Sequence, residues 1–224
     1  GVYVSSGTFN MYGGSITGNK AQDAKGRGGG VYVYSGSGTF NMYGGSITGN
    51  RATGDGGGVY KSGSNSSFNM YGGSITGNTA NSYGGGVYVD GGGFTMTGGS
   101  IGGTNENDAN TADRGGGVCV DCGKFTMSAS ADGQNIPSIT GNNATENGGG
   151  VYVIGSSSTF EMTGGSITGN NAAYGGGVCV SKNGSFEMSG SSCITNNKAD
   201  SYGGGVNINY ASATFTMKGG SITG

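Results

Sequence analysis

Apolar residues recur along the chain in short alternating stretches, and these stretches repeat in a fixed order every 27 to 33 residues. Each unit opens with V-Y-V or a variant of it, continues with F-x-M, and then carries one isoleucine between small polar residues, as in S-I-T. An apolar residue at every second position is the period of a strand with one buried face. Each unit therefore predicts three short strands, separated by turns of glycine and asparagine.

The units are regular enough to be aligned residue by residue. All eight phenylalanines and all eight methionines of the chain lie in the F-x-M stretch, so neither residue type is used elsewhere. The first valines of the eight units are Val2, Val31, Val59, Val87, Val118, Val151, Val178 and Val206.

Strands this short cannot bury a core alone, but stacked units can. When one coil lies on the next, each strand pairs in parallel with its copy about 4.8 Å away, and identical side chains form interior columns. The six-residue period of a left-handed β-helix, the glycine period of collagen and the regular aspartate of calcium-binding nonapeptides are absent. The sequence predicts an all-β, right-handed parallel β-helix, a solenoid of about eight coils of roughly 28 residues with three short strands per coil.

Glycine-rich composition alone would indicate a disordered chain, because 56 of the 224 residues are glycine and 10% are charged. The period overrules this interpretation, since glycine allows the positive φ angles that corners require. An asparagine follows the isoleucine of most units, and its amide can donate to one coil and accept from another. We therefore expect a structural asparagine ladder formed by Asn19, Asn50, Asn78, Asn142, Asn170 and Asn197.

A longer stretch of the repeat, ITGNTANSYGGGVYV at 75–89, resembles the paired repeats of chlamydial-type polymorphic outer-membrane proteins and related autotransporter passengers. It is also similar to the long repeat arrays of adhesin-like surface proteins of bacteria and archaea. This resemblance covers all eight units and implies a structural stalk or adhesin segment. It also implies an extracellular location, at the cell surface or secreted, and glycans or surface proteins of host or neighbouring cells as partners.

The ends of the chain and its charge add expectations about its context. Residues 1–224 form one repeat segment that starts and stops within a unit, so we expect a fragment of a longer array. End-to-end self-association into filaments through open strand edges is the alternative. Without a signal peptide or an apolar run, we expect no membrane insertion by this segment. A net charge of −2, with ten scattered Lys and Arg residues, predicts no nucleic-acid partner.

The residue between the two valines of the first strand should point outward, and it is often aromatic. An exposed aromatic column could bind sugar rings or a protein surface, because tyrosine combines a large area with a polar tip. The alternative is that these rings pack on one another and only stabilise the strands. The column consists of Tyr3, Tyr32, Tyr60, Tyr88 and Tyr152. A second set comprises Tyr12, Tyr43 and Tyr71.

A carbohydrate-binding or carbohydrate-active site is the alternative function, since polysaccharide lyases use the same architecture. Asp90 and Asp121 follow the first strand in adjacent coils and should lie about 5 Å apart, near Lys61. Two carboxylates at that spacing are what a retaining glycosidase uses. The chain has no histidine and no other obvious acid–base cluster. We therefore expect no enzymatic activity, no cofactor and no metal.

Four cysteines allow three full pairings. Cys119 and Cys179 share a position two coils apart, about 9.6 Å by strand spacing, which exceeds the reach of a disulfide of about 7 Å. Cys119 and Cys122, in VCVDC, are the best local candidates for a disulfide. Unpaired thiols that fill small gaps are the alternative, also for Cys193.

Two insertions interrupt the repeat in neighbouring units, GTNENDANTADR at 103–114 and SASADGQNIP at 128–137. Loops outside the ladder of a solenoid often form a binding face, although neutral surface loops are the simpler interpretation. Glu106, Asp108 and Asp113 carry oxygen atoms that calcium prefers, but their spacing matches no known ligand pattern.

Overall fold

The computed structural model describes residues 1–224, apart from the side chain of Glu106. Strands pair in parallel with their copies one coil before and one coil after, so the chain winds as a β-solenoid of eight coils. The register matches the sequence repeat residue by residue, for example Val2 opposite Val31 and Phe9 opposite Phe40. The predicted parallel β-helix is confirmed.

The first and second strands of the coils together form one continuous sheet of 14 strands. The first strands are Val2–Val4, Val31–Val33, Val59–Ser62, Val151–Ile154, Val178–Ser181 and Val206–Asn209. The second strands are Thr8–Met11, Thr39–Met42, Ser67–Met70, Thr159–Met162, Ser185–Met188 and Thr214–Met217. In coils 4 and 5 the two merge into the ten-residue strands Val87–Met96 and Val118–Met127.

The third strands contain the S-I-T stretch and form a separate sheet of eight strands. They are Ser15–Thr17, Ser46–Thr48, Ser74–Thr76, Ser100–Gly102, Ser138–Thr140, Ser166–Thr168, Cys193–Thr195 and Ser221–Thr223.

A fourth short strand follows the asparagine in seven coils and forms a third sheet, which the prediction of three strands per coil did not include. Its members are Lys20–Ala21, Arg51–Ala52, Thr79–Ala80, Thr111–Arg114, Asn143–Asn147, Asn171–Tyr174 and Lys198–Tyr202. The pattern hides this strand because its only buried side chain is one alanine, as in Ala52 and Ala80.

The interior consists of columns of identical side chains that run along the axis. Phenylalanine rings stack face to face from coil to coil, with centroids 4.6 Å apart for Phe68 and Phe94 and again for Phe94 and Phe125. Valine, methionine and isoleucine form parallel columns beside them, and from coil 2 to coil 7 these side chains are fully buried. Burial of a whole apolar side chain stabilises a fold by about 1.5 to 3 kcal/mol, so these columns supply the main driving force.

The asparagine ladder is confirmed and has one more member than expected. Asn110, in the insertion of coil 4, occupies the ladder position that the sequence pattern missed. Each amide nitrogen donates to the Oδ1 atom of the next coil at 2.9 to 3.0 Å, and the contacts run from Asn19 to Asn197 without a break.

Every interior rung of this ladder is fully hydrogen-bonded. The Oδ1 atom of Asn78 accepts from both the backbone N–H and the side-chain amide of Asn50, at 2.9 and 3.0 Å. Its Nδ2 atom donates to Oδ1 of Asn110 and to the carbonyl of Ile47, at 3.0 and 2.9 Å. Because a buried polar group is tolerated only when it is bonded, the ladder allows a polar residue in the core without penalty.

Glycine is required where the chain turns from the fourth strand into the next coil. A Cβ atom on Gly58 would lie 2.6 Å from the carbonyl oxygen of Gly86 and 3.0 Å from Ile75 Cγ2. Gly56, at the start of the same corner, has φ +67°. The close approach of backbone from adjacent coils therefore accounts for the G-G-G motif.

The two insertions differ in how far they leave the repeat. In coil 4 only the loop at 103–109 departs from it, and this loop contains the 3-10 turn Glu106–Asp108. Ala112, which was expected in the insertion, occupies the buried alanine column instead. In coil 5 the segment 128–137 lies outside the strands, as expected.

Replacement of Asn78 by alanine should destabilise the solenoid strongly. The change removes the four hydrogen bonds of the Asn78 side chain and leaves the buried N–H of Asn50 without a partner, whereas Asn50 Nδ2 and Asn110 Oδ1 keep other bonds. A lost bond costs about 0.5 to 1.5 kcal/mol and an unsatisfied buried donor about 1 to 3 kcal/mol, so we expect a loss of at least about 3 kcal/mol. Urea unfolding followed by circular dichroism measures the loss.

Asn69 provides a matched control, since it belongs to an outer ladder and donates a single bond of 2.9 Å to Asn41. Asn69→Ala should cost less than about 1 kcal/mol. Equal destabilisation by the two variants would contradict the role assigned to the inner ladder.

Candidate functional site

Outside the core, aromatic, thiol and charged side chains meet along the corner where each G-G-G motif leads into a first strand. We call it the outer seam. It consists of two columns that face each other: the outward residues of the first strands, and the residues that directly precede G-G-G. The second column comprises Arg27, Asp55, Tyr83, Arg114, Asn147, Tyr174 and Tyr202.

Side chains of the two columns are in contact along the seam. The guanidinium of Arg27 lies 5.1 Å from the ring centroid of Tyr60, within the range of a cation–π contact. The rings of Tyr83 and Tyr88 are 5.9 Å apart. Cys179 Sγ lies 3.6 Å from Oδ1 of Asn147. The residue before G-G-G therefore covers the outward face of the first strand.

Most of the tyrosine column is not exposed, and the alternative, in which the rings pack on one another, is the arrangement observed. Tyr3 is 60% exposed and Tyr32 is half-buried, but Tyr60, Tyr88 and Tyr152 are buried. The physical cause is the corner, because the positive φ of Gly84 folds the chain back and places Tyr83 beside Tyr88. The rings form a second apolar cluster with Cys119 and Cys179, and they do not present a flat surface to a ligand.

The second tyrosine set is exposed but turns its ring edges outward. Tyr12, Tyr43 and Tyr71 stack with centroids 4.8 and 4.9 Å apart and with interplanar angles of 7° and 15°. Because the rings cover each other's faces, only the two end faces of the stack, on Tyr12 and Tyr71, are left for stacking on a sugar.

Asp90 and Asp121 are brought together as expected, since they are register partners on adjacent strands. Each carboxylate, however, accepts a hydrogen bond from a tyrosine of the preceding coil. Tyr60 donates to Asp90 at 2.8 Å and Tyr88 donates to Asp121 at 3.1 Å. Burial raises the pKa of both phenols far above their usual value, so the tyrosines stay protonated donors. The two aspartates thus have a structural role in which they bond buried hydroxyl groups.

Asp55 is a half-buried acidic residue of the seam. Burial, the largest effect, raises the pKa of this carboxyl group above its usual value. Arg27 is the nearby cation, and it acts in the opposite direction. Asp55 was not identified from the sequence, although its position directly before G-G-G is the signal that would have found it.

Lys61 occupies an interior position that is valine in the neighbouring coils, opposite Val33 and Val89. Its side chain is fully buried. The ammonium group donates to the carbonyl of Gly63 at 2.7 Å and also to the carbonyl of Gly91. Burial lowers the pKa of Lys61 to about 8, and Asp90 only partly opposes this shift. Lys61 is therefore directed into the fold and is not placed to act on an external ligand.

The cysteines are free thiols, so the expected Cys119–Cys122 disulfide is absent. Residues three apart in an extended strand have Cα atoms about 10 Å apart and opposed side chains, which exceeds the reach of a disulfide. Cys119 and Cys179 are buried in the tyrosine column, where burial raises the pKa of each thiol. Cys122 is exposed and lies 3.3 Å from a carboxylate oxygen of Asp121, which raises its pKa.

The insertion of coil 4 shows no calcium site among the side chains that the structure describes, and the side chain of Glu106 lies outside that description. Asp108 accepts a hydrogen bond of 2.7 Å from the side chain of Asn105. Asp113 accepts one of 2.9 Å from Thr145 in the next coil. Both carboxylates therefore bond locally within the loop or between coils.

Comparison with family models, with curated proteins and with solved structures finds no match for this chain. Among the described residues, no helix has the length and apolar character needed to cross a membrane. The strand register of the structure establishes the fold. The outer seam and the stacked coils are the features from which a function is proposed.

Replacement of Lys61 by methionine should change how stability depends on pH. The pKa of Lys61 is about 8 in the folded chain and near 10.5 when unfolded, so between these values the unfolded state binds the extra proton. The folded wild type should therefore gain stability as pH rises from 8 to 10.5, by roughly 3 kcal/mol relative to Lys61→Met.

The comparison uses unfolding midpoints of the two proteins at a series of pH values. Tyrosine ionisation in the unfolded state affects both alike and cancels in the difference. Lys20→Met, at an exposed position, is the control and should show no such trend. A constant difference between wild type and Lys61→Met over this range would contradict the buried lysine.

Proposed function

We propose that this chain is a structural stalk segment of an extracellular surface protein, which holds other parts of that protein away from the cell. The observation that carries the proposal is the stack of identical phenylalanine, methionine and isoleucine side chains through all eight coils, together with the asparagine ladder through seven of them. Each coil bonds only to its neighbours, so the structure extends in one dimension and gains about 4.8 Å per coil.

The composition of the stack also suits a load-bearing rod. In-register backbone hydrogen bonds run along the axis in three sheets, and the asparagine ladder adds a fourth line of bonds inside. Force along the axis would act on these bonds together. The resemblance of the repeat to surface-protein arrays supports the extracellular location and a role at the cell surface.

An adhesin role is the second candidate. We propose that binding, where it occurs, takes place at the outer seam, because aromatic, amide and charged side chains converge there. The partners would be glycans or surface proteins of other cells. Catalysis is not part of the proposal, since Asp90 and Asp121 are engaged by buried tyrosines and Lys61 is directed inward.

Pulling the chain between Gly1 and Gly224 in a single-molecule force experiment tests the stalk. We expect stepwise loss of coils, because each coil is held only by its neighbours. One step should release about 28 residues, or roughly 90 to 100 Å of extended chain. Extension without resolvable force steps would contradict a load-bearing role. Asn110→Ala should lower the force of the step that separates coil 4 from a neighbouring coil, whereas Asn69→Ala should leave the steps unchanged.

Antibodies raised against the purified chain test the location. They should label intact cells of the source organism without permeabilisation, or detect the protein in the culture medium. Permeabilised cells provide the comparison, and an antibody to a cytoplasmic protein controls for leakage. Labelling that appears only after permeabilisation would contradict the extracellular proposal.

A further inference from the structure

The C-terminal half of the outer seam contains a cavity of about 240 Å³. Its walls come from both columns of the seam and from the turns that follow the first strands of coils 7 and 8. The lining includes Tyr152 and Ile154 of the first strand, Arg114 and Asn147 of the second column, and Tyr210. The volume is slightly below the usual range for sites of drug-sized ligands, so it suits one small ring.

The cavity exists because the tyrosine column is interrupted. In coils 3 and 4 a tyrosine reaches from the second position of the first strand to the fourth position in the next coil, as Tyr60 does to Asp90. The equivalent pair in coils 7 and 8 is Cys179 and Asn209. Cys179 is too short to span this distance, and Asn147 and Asn207 contact its Sγ atom at 3.6 and 3.7 Å. The cavity lies beyond this contact and is lined by Asn147 and Asn209.

One buried hydroxyl group at this cavity is incompletely bonded. Ser181 lines the cavity and is 1% exposed, and its Oγ atom forms no hydrogen bond of standard geometry. It occupies the position of Asp90 and Asp121, and the phenol of Tyr152 is close enough to interact with it. Because a serine hydroxyl can donate one hydrogen bond and accept two, it keeps bonding capacity for a ligand.

Charge in the cavity favours an anion. Arg114 forms an ion pair with Glu146 and donates to the phenol of Tyr83 at 3.1 Å, so these two charges compensate each other. Lys182 also lines the cavity, and no carboxylate among the described residues lies within ion-pairing distance of it. The site therefore carries one uncompensated positive charge beside two amides.

The turns that supply Lys182 and Tyr210 are conformationally unusual. Lys182 has φ +46° and Tyr210 has φ +85°, both in the region that favours glycine. A bulky residue in this region is held there only by its surroundings, and such residues are concentrated at binding sites. The same turn of coil 3 uses Gly63 instead.

We propose that this cavity binds a single sugar residue that carries a carboxylate, such as the uronic acid at an end or branch of a glycan. Tyr210 would contact the ring, Asn147, Asn209 and Ser181 its hydroxyl groups, and Lys182 its carboxylate. Convergent polar groups fix the orientation of a small ligand, and an aromatic ring can pack against a sugar. The inference does not depend on the stalk role, because it concerns a lateral surface and leaves the stack intact.

The full chain titrated with D-galacturonate, followed by ligand-observed and protein-observed NMR, tests the proposal. For a ligand of this size we expect a dissociation constant of about 1 mM. Lys182→Gln should weaken binding roughly fivefold to tenfold, the effect of losing one charge-assisted hydrogen bond. Lys218→Gln removes the same charge outside the cavity, where Lys218 pairs with Glu187, and should leave binding unchanged.

A second variant tests the cavity itself without removing any polar group from its lining. Cys179→Tyr restores the residue of coils 2 to 4, and its ring should point toward Asn209 and occupy the space. We expect this protein to fold with the wild-type circular dichroism spectrum and to lose galacturonate binding.

Four outcomes would overturn the inference: no binding by the folded wild type, equal binding of neutral D-galactose, equal weakening by Lys182→Gln and Lys218→Gln, or unchanged binding by folded Cys179→Tyr. Chemical-shift changes confined to residues around Tyr152 and Asn209, and absent in Cys179→Tyr, would support it. If Cys179→Tyr fails to fold, Ser181→Val takes its place. Loss of galacturonate binding by folded Ser181→Val would support the inference, and unchanged binding would overturn it.

Discussion

In-register parallel stacking is the constraint on which the rest of this structure depends. Every residue lies about 4.8 Å from its own counterpart in the next coil, so a side chain is acceptable inside only when it packs well against itself. Phenylalanine does so by stacking, valine and isoleucine by shape, and asparagine by a bond from amide to amide. Glycine satisfies the same constraint at the corners, where backbone from adjacent coils meets and no side chain fits.

A charged residue cannot stack on an identical residue without repulsion. The structure relieves this repulsion in different ways at different positions. Glu161 and Glu187 are register partners, a repulsive arrangement, and a lysine relieves it on each side: Lys124 bonds Glu161 and Lys218 bonds Glu187. Asp90 and Asp121 are also partners, and buried phenols bond each of them. Lys61 has no charged partner in contact and is held by backbone carbonyl groups instead. Charged side chains are thus accommodated where a lysine, a phenol or backbone carbonyl groups bond them.

The period of the sequence was sufficient to predict the fold, the interior columns and six rungs of the ladder, because each of these repeats in every unit. The period did not predict the environment of residues that contact a different part of their own coil. The burial of Tyr60 and Tyr88 requires knowledge that the G-G-G corner folds back over the first strand. Asn110 was missed because the insertion shifts its spacing from the isoleucine, and the fourth strand because alanine leaves almost no apolar signal. The cavity beside Asn147 and Asn209 was not predicted either, because it depends on how the turns after two first strands face the residue before G-G-G.

The asparagine ladder has a direction. In every rung the amide nitrogen points toward the C-terminal coil and the oxygen toward the N-terminal one, so the dipoles of seven amides add along the axis. A single amide cannot reverse, because it would face a donor with a donor on one side and an acceptor with an acceptor on the other. The row therefore behaves as one unit with an electropositive and an electronegative end, like the peptide dipoles of an α-helix. An added coil can extend this row only in the same orientation. The ladder therefore fixes the direction in which coils stack, independently of the backbone hydrogen bonds.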